Sequence, residues 1–383
     1  MGEASKKNVR LGIPERVRAQ LWVAAAGHCE FNCCNKPLDR NVLTKQDVFL
    51  GEHAHIIGDS VHGPRGDREL SKKLAQDASN IMLVCRDCHR TIDRLEDDYP
   101  VELLRRMKHR HETRIQRLYE LDECKESVPV VLRHPIKRIH VPQFTDRDVQ
   151  AAILTNSDFC HAPAQHLVQL DYRSRAAREG DRAYWDELVR QMRDDYAGQM
   201  HLAARDGHPA HLSIFAFAPM PLNMQLGALI GNKVEASSFQ WDRVFENWNF
   251  RLERRYERQT LTHSAVPRSD GRELSLVISL SGEVNLGAAA AAAGELPMVR
   301  FGVPRPTPEL VENADDIRHF RSKLTALMAE VRNQGYQVVH VFPAMPLSLA
   351  VEFGRQLLPK ADPTMRIWDY QYSRFVHTLD IQV

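Results

Sequence analysis

Ile214–Gly227, IFAFAPMPLNMQLG, and Val339–Gly354, VHVFPAMPLSLAVEFG, are two copies of one pattern. Each runs from an apolar strand through a turn carrying Met then Pro, and on into an apolar helix that reaches a glycine. Each is followed by an aromatic segment, SFQWD at 238–242 and RIWDYQY at 366–372. The copies lie about 125 residues apart, too far for a solenoid period, so the pattern implies two fused copies of one small α/β unit. A strand that turns into a helix N-terminus leaves backbone N–H groups free, a standard way to hold a phosphate.

The surrounding segments agree with that reading. AYWDELVRQMRDDYAGQM (183–200) and DDIRHFRSKLTALMAEVRNQG (315–335) read as helices. HLSIFAFAP (211–219), ELSLVISLSG (273–282) and YQVVHVFPA (336–344) read as strands, and alternation of the two patterns marks an α/β domain. Six alanines between Gly287 and Gly294 read as a loop or short helix of no evident function. Residues 124–150 hold three prolines and several basic residues in VPVVLRHPIKRIHVPQF and read as a linker.

The first 123 residues have a different character. PERVRAQLWVAAAG (14–27) predicts a helix with Pro14 in its first turn and Gly27 at its end. A long amphipathic helix is expected from Pro100, with Leu104, Met107, His111, Ile115 or Leu118, and Leu121 on one face and arginines crowding the rest. That basic surface suits either DNA phosphates or plain solvation. Between the helices, residues 28–95 carry most of the cysteines. The chain has seven, five of them in its first 90 residues. With no apolar signal core at the N-terminus, this clustering points to metal ligation rather than disulfides, and to the cytoplasm as the expected compartment. No run of 18 apolar residues exists, which excludes a membrane-spanning helix. A net charge of +1 leaves any nucleic-acid contact to local patches. At 383 residues, two domains are expected.

Cys85-x2-Cys88 has knuckle spacing, and its partner pair is either Cys29-x3-Cys33 or Cys29-x4-Cys34. Four thiolates form a closed tetrahedral zinc site with no open position for catalysis. In GEHAHIIGDS (51–60), His53 and His55 alternate and so face one side of a strand. In NIMLVCRDCHRTID (80–93), His89 and Asp93 stand at i, i+4, on one helix face, where they can grip one cation.

His55, Asn80 and His89, with Cys88 beside His89, resemble the HNH or ββα-metal nuclease motif. The resemblance implies His55 as general base, Asn80 as its orienting residue, and His89 with Asp93 as holders of a catalytic divalent cation, expected to be Mg²⁺. It also favours Cys34 over Cys33 as the fourth zinc ligand. Many members carry a metal-binding Asp or His directly before the base. This chain has Ala54 there, and His53 or water is left to fill the place.

VHVFPAMPLSLAVEFGRQLLPKADPTMRIWDYQ (339–371) resembles the C-terminal signature of the SAVED domain, a fused pair of CARF-like units, and HLSIFAFAPMPLNMQLGALIG and LSLVISLSGEV fit the same family. The implied fold is an α+β zinc-stapled HNH domain (1–123), the linker (124–150), and an α/β SAVED domain (151–383). HNH followed by SAVED is similar to the effector endonucleases of cyclic-oligonucleotide anti-phage signalling systems (CBASS). That resemblance implies a cyclic di- or trinucleotide activator, a homo-oligomeric active form, and largely sequence-nonspecific cleavage of double-stranded DNA. Ser281 and Gly282 could donate to phosphate, and Trp241, Trp368 and Tyr370 could stack on bases. Pro219, Met220, Pro343 and Met345 occupy the two strand-to-helix turns. The rival readings are a zinc ribbon that binds DNA or scaffolds without catalysis, and an HNH restriction-type enzyme reading modified DNA.

Overall fold

The computed structural model describes residues 12–41, 44–119, 125–137, 139–156, 159–161, 167–174, 181–203, 209–250 and 257–382. Leu121 and Cys124 lie outside them. The chain divides into two compact units, Met1–Glu123 and Cys124–Val383.

The first unit is built on a short hairpin. Helix α1 (Glu15–Ala24) is capped by Pro14, and Gly27 takes a positive φ of 68° just past its end. Strand β1 (Gly51–His55) pairs antiparallel with β2 (Ile81–Cys85), Gly51 opposite Cys85 and His55 opposite Ile81. Helix α2 (Leu70–Leu74) lies between them in sequence, α3 (Arg86–Arg94) follows β2 directly, and α4 (Val101–Tyr119) comes last. All of β2 is buried. In α4, Leu104, Met107, His111 and Ile115 form the expected buried face. The basic residues are not simply a solvated surface: Lys108 is buried and ion-paired to Glu112 at 2.6 Å and Glu30 at 3.7 Å, while Arg114 donates to Asn35 Oδ1. These cations hold α4 to its own unit.

In the second unit, the first half is an all-parallel sheet. Its strands are β3 (Lys125–Arg133), β4 (Phe159–His161), β5 (Val168–Asp171), β6 (His211–Phe217) and β7 (Glu235–Phe239). The order is β4-β3-β6-β7, with β5 also pairing β3. Helices α5 (Asp146–Asn156), α6 (Arg182–Ala203) and α7 (Met220–Ile230) belong to this half. The expected linker at 124–150 is therefore corrected: β3 is an inner strand, buried from Ser127 to Arg133. Pro129 falls between the residues that pair with β4 (125–127) and those that pair with β5 (130–133), where a missing N–H interrupts no registered pair on that edge. VPVVL is a continuous apolar run because a parallel strand is covered on both faces.

The second half is a six-stranded sheet. Its strands are β8 (Thr262–His263), β9 (Glu273–Ser279), β10 (Met298–Gly302), β11 (Val338–Ala344), β12 (Thr364–Gln371) and β13 (Arg374–Ile381). They lie in the order β13-β12-β11-β9-β10-β8, parallel except for the two edge strands. Helix α8 (Leu286–Ala293) is the alanine segment, capped by the Asn285 side chain on Ala288 N. Helix α9 (Ala314–Asn333) opens with a capping box from Asn313 and Asp316, and α10 (Leu347–Arg355) follows β11.

The repeat is real, in a slightly different register. Matching the Met-Pro pairs would align Pro221 with Pro346. The structure instead makes Pro219 and Pro346 the equivalent N-caps, with φ, ψ of −54°, 147° and −55°, 148°. Gly227 and Gly354 then occupy the same position in α7 and α10. These two glycines touch the opposite helix reciprocally: a Cβ on Gly227 would overlap the carbonyl oxygen of Val351, and one on Gly354 that of Met224. Backbone meets backbone here. Beside the crossing, the fully buried Glu352 accepts from Arg321 Nε at 2.6 Å, Arg355 Nη1 at 3.1 Å and Ser238 Oγ at 2.5 Å. Burial opposes its ionisation, but the two guanidiniums outweigh that and keep it below the usual carboxylate range.

Gly227→Val or Gly354→Val is expected to destabilise the chain by about 3 kcal/mol or more, because the overlapping atom is backbone and cannot rotate away. Gly198→Ala, in the exposed part of α6 with open space around it, is expected to stabilise by roughly 0.5–1 kcal/mol. Urea unfolding of the three variants measures both effects.

Candidate metal centres and ligand cavity

The turn after α1 and the β2–α3 junction bring four cysteines together. The Sγ atoms of Cys29, Cys34, Cys85 and Cys88 all lie within 4.8 Å of one another, and Cys34 Sγ is 3.9 Å from Cys85 Sγ. Ligands at about 2.3 Å on a tetrahedral zinc stand about 3.8 Å apart, so the donor set fits such an ion. Cys33 has φ of 65° and is exposed, outside the group. That left-handed residue is what turns Cys34, rather than Cys33, inward. Cys85 N donates to Cys29 Sγ at 3.2 Å. Crowded thiols cannot share one charge equally. Hydrogen bonds from Cys29 and Cys88 hold Cys34 far below the usual thiol range, while the bond to Cys34 pushes Cys29 up to about 12 and the bonds to Cys29 and Cys34 push Cys88 up.

The hairpin carries the second cluster. Glu52 Oε2 lies 2.9 Å from His89 Nδ1, and Asp93 Oδ2 lies 3.3 Å from His89 Nε2. Arg65, in the loop before α2, donates to Asp93 Oδ1 at 2.8 Å and to the carbonyls of Ile56 at 2.8 Å, Ile92 at 2.6 Å and His55 at 3.3 Å. One guanidinium thus ties the end of β1 to α3. The bond from Asp93, and then that from Glu52, raises the His89 pKa against burial. Burial works the other way on Asp93, yet His89 and Arg65 hold it below the usual carboxylate range.

His55 Nε2 lies 2.9 Å from the carbonyl of Ala75. A carbonyl only accepts, so Nε2 is the donor, and in the neutral ring Nδ1 is the nitrogen with the lone pair. Asn80, buried, does not bond to the His55 ring; it acts on the backbone just beyond it. Its Oδ1 accepts from Ile57 N at 2.9 Å, and its Nδ2 donates to Ile57 O at 2.9 Å and Leu74 O at 3.3 Å. Strand alternation puts His53 and His55 on one face of β1, and Glu52 and Ala54 on the other. Among the described residues, no hydrogen bond or ion pair joins His53 to His89 or Asp93, and His53 Nε2 is buried without a partner.

In the second unit, the C-terminal ends of the parallel strands open onto a cavity of about 570 Å³. The N-termini of α7 and α10 both reach it, through Pro219 and Met220 in one half and Met345, Pro346 and Leu347 in the other. Ser281 and Trp241 also line it. Gly282, Pro343, Trp368 and Tyr370 are not among the lining residues. Pro343 is inside β11, and Trp368 stacks against His340 and Phe342 and donates to His340 Nδ1 at 3.2 Å. Tyr370 takes part through its backbone, whose carbonyl accepts from Lys137 Nζ at 2.7 Å. The polar lining that the sequence did not reveal is Lys137, His140, Gln240, Arg243, Glu246 and Asp369. Lys137 and His140 come from the stretch read as linker. The signal that could have found them was VPVVL itself: once it is a strand, the basic segment after it must lie at the strand's C-terminal end.

Residues 192–381 match the model of one family, SAVED: SMODS-associated and fused to various effectors sensor domain. The second unit contains a SAVED domain. The cavity wall formed by residues 136, 137 and 139–142 precedes the matched segment, though it belongs to the same unit. Solved structures similar to the chain include the Cap4 SAVED/CARF-domain containing receptor of Acinetobacter baumannii with the cyclic trinucleotide 3′3′3′-cAAA. It is 12% identical over 83% of this chain and 68% of that one, with a TM-score of 0.44. The Cap4 receptor of Moraxella osloensis is 11% identical over 76% and 60%, with a TM-score of 0.40. Comparison with curated proteins finds no match. Among the described residues, no helix is long and apolar enough to cross a membrane.

Asn80→Ala is expected to destabilise the chain by roughly 2–3 kcal/mol, since it leaves the buried Ile57 N–H and carbonyl without the partner that Asn80 supplies. Denaturant unfolding followed by tryptophan emission, with Trp22 of α1 in the same unit, checks it.

Proposed function

We propose that the chain is a cyclic-oligonucleotide-gated, metal-dependent DNA endonuclease. The observation that carries the sensing half is the cavity of the SAVED domain, where two helix N-termini meet Lys137, His140 and Arg243. The positive ends of two helix dipoles favour anions. Two such ends from a repeated unit suit a ring that carries phosphates on more than one side. Gln240 and Asp369 add polar groups suited to base edges, and Trp241 offers a ring.

The nuclease half rests on the hairpin and α3. His55 Nδ1 is the base that takes a proton from water as the water oxygen bonds to phosphorus and the bond to the leaving deoxyribose oxygen breaks. A divalent cation, of which Mg²⁺ is the hard, oxygen-seeking example, would supply charge relief at the leaving oxygen. His89 and Asp93 are the residues that would hold it. Asn80 fixes the backbone after His55, and Arg65 keeps that backbone in register with α3. The four cysteines would hold one structural zinc, whose closed tetrahedral set leaves no open position for this chemistry. One base serves one strand, so double-strand cleavage needs two copies of the chain brought together. Ligand-driven assembly of copies is the simplest gate, and it is read by light scattering with and without the nucleotide.

The test incubates the chain and Mg²⁺ with a panel of cyclic di- and trinucleotides and scores plasmid DNA. One member of the panel is expected to trigger cleavage, and His55→Ala to lower the rate by roughly 10²–10⁴ while nucleotide binding is retained. A chain that binds zinc and DNA but cuts with no member of the panel would be a zinc-ribbon binding protein instead.

Cys34→Ser is expected to lose the zinc and unfold the first unit, while Cys33→Ser keeps about one zinc per chain. Metal analysis beside thermal melting separates the two. Equal zinc in both variants would remove the cysteine site from the proposal.

A further inference from the structure

The face of β1 that looks toward α3 carries Glu52 and Ala54. Ala54 is fully buried and offers no ligand atom, so this strand supplies no donor directly before the base. What it supplies is Glu52, two residues earlier on the same face, with Oε2 at 2.9 Å from His89 Nδ1. The other imidazole nitrogen faces Asp93 Oδ2 at 3.3 Å. Neighbouring vertices of an octahedral cation with bonds of about 2.1 Å stand about 3.0 Å apart. The His89 Nε2 and Asp93 Oδ2 pair therefore has the spacing of two ligands on one ion, while Nδ1 points away from that ion into a carboxylate. A ligating histidine whose other N–H is held by a carboxylate is a recurring arrangement, and it fixes both tautomer and ring orientation.

From this geometry we infer that Glu52 is the positioning residue of the cation site: it accepts the Nδ1–H of His89 and leaves Nε2, with Asp93, as a two-residue grip completed by water and phosphate oxygens. This rests on the reading of His89 and Asp93 as cation holders. The arrangement accounts for Ala54, because a hard cation that keeps several waters needs only one or two protein ligands. Arg65 belongs to the same device. It occupies Asp93 Oδ1, which leaves Oδ2 as the oxygen turned to His89.

The experiment uses the full chain and Mn²⁺ alone as probe. Glu52 is half-exposed on a strand, so Glu52→Val, a strand former, and Glu52→Gln both keep the fold, which thermal melting confirms. Electron paramagnetic resonance gives the Mn²⁺ affinity, and water-proton relaxation gives the number of waters bound to the ion. Glu52→Val is expected to weaken Mn²⁺ by about 10- to 100-fold with the water number unchanged. Glu52→Gln, whose carbonyl oxygen still accepts from Nδ1–H, is expected to stay within a few-fold of the parent. Unchanged affinity in Glu52→Val overturns the inference, and so does a gain of one bound water in either variant, which would make Glu52 a direct ligand. Loss of Mn²⁺ binding in neither Glu52→Val nor Asp93→Asn would place the fault in the cation site itself. Absence of DNA cleavage with normal Mn²⁺ behaviour would fault only the nuclease reading.

Discussion

The close approach of α7 and α10 at Gly227 and Gly354 fixes the second unit. Two helices normally stand 8–10 Å apart, held off by side chains. Here each glycine lets the partner's backbone carbonyl occupy the place of a side chain. The two sheets are then tied to one crossing, and the two N-termini arrive at one cavity rather than at separate edges. The buried Glu352, with Arg321, Arg355 and Ser238, stands beside the crossing and joins strand β7 of one half to α9 and α10 of the other. Such a pair contributes little net stability when intact, but it penalises every arrangement that separates its members. Close packing sets the distance and charge sets the register.

The first unit solves a different problem. Its hairpin has five residues per strand, too small to be stable alone. Polar and thiol contacts gather its segments. Four cysteines from the turn after α1 and from the β2–α3 junction converge within 4.8 Å, and Arg65 joins the end of β1 to α3. Lys108 with Glu30 and Glu112 then anchors α4. A charged helix can be read from sequence as a binding surface, but the long lysine and arginine stems also let charge reach inward to a buried carboxylate.

Much of this was legible in the sequence because it depends on local spacing. Cys85 and Cys88 flank one helix turn, His89 and Asp93 share a helix face, and β1 alternates. The repeat was legible for the same reason, though matching Met220-Pro221 with Met345-Pro346 displaced it by two residues; cap geometry, which sequence similarity does not weigh, corrects it. What depended on distant pairing was hidden. Lys125–Arg133 carries a proline and flanking charge, and only the positions of β4 and β5 show why Pro129 is tolerated. With that strand unrecognised, Lys137 and His140 had no reason to be near a cavity. Trp368 and Tyr370 looked suited to stacking and share one face of β12, but Trp368 is covered by His340 and Phe342 whereas Tyr370, near the strand's end, is exposed. Glu52 was overlooked because its partner is 37 residues away and its significance depends on Ala54.

Gly227 and Gly354 each stand eight residues after the proline that caps their helix, and this separation carries a rule about chain length. Each residue of a helix advances 100° around its axis. One residue inserted or deleted between cap and glycine would swing the glycine off the crossing and put a side chain there, even if every original side-chain type were kept. The two segments therefore admit changes of identity far more readily than changes of number. The loops that join strands and helices elsewhere on the surface are under no such count, so they are where a change of length would be accommodated.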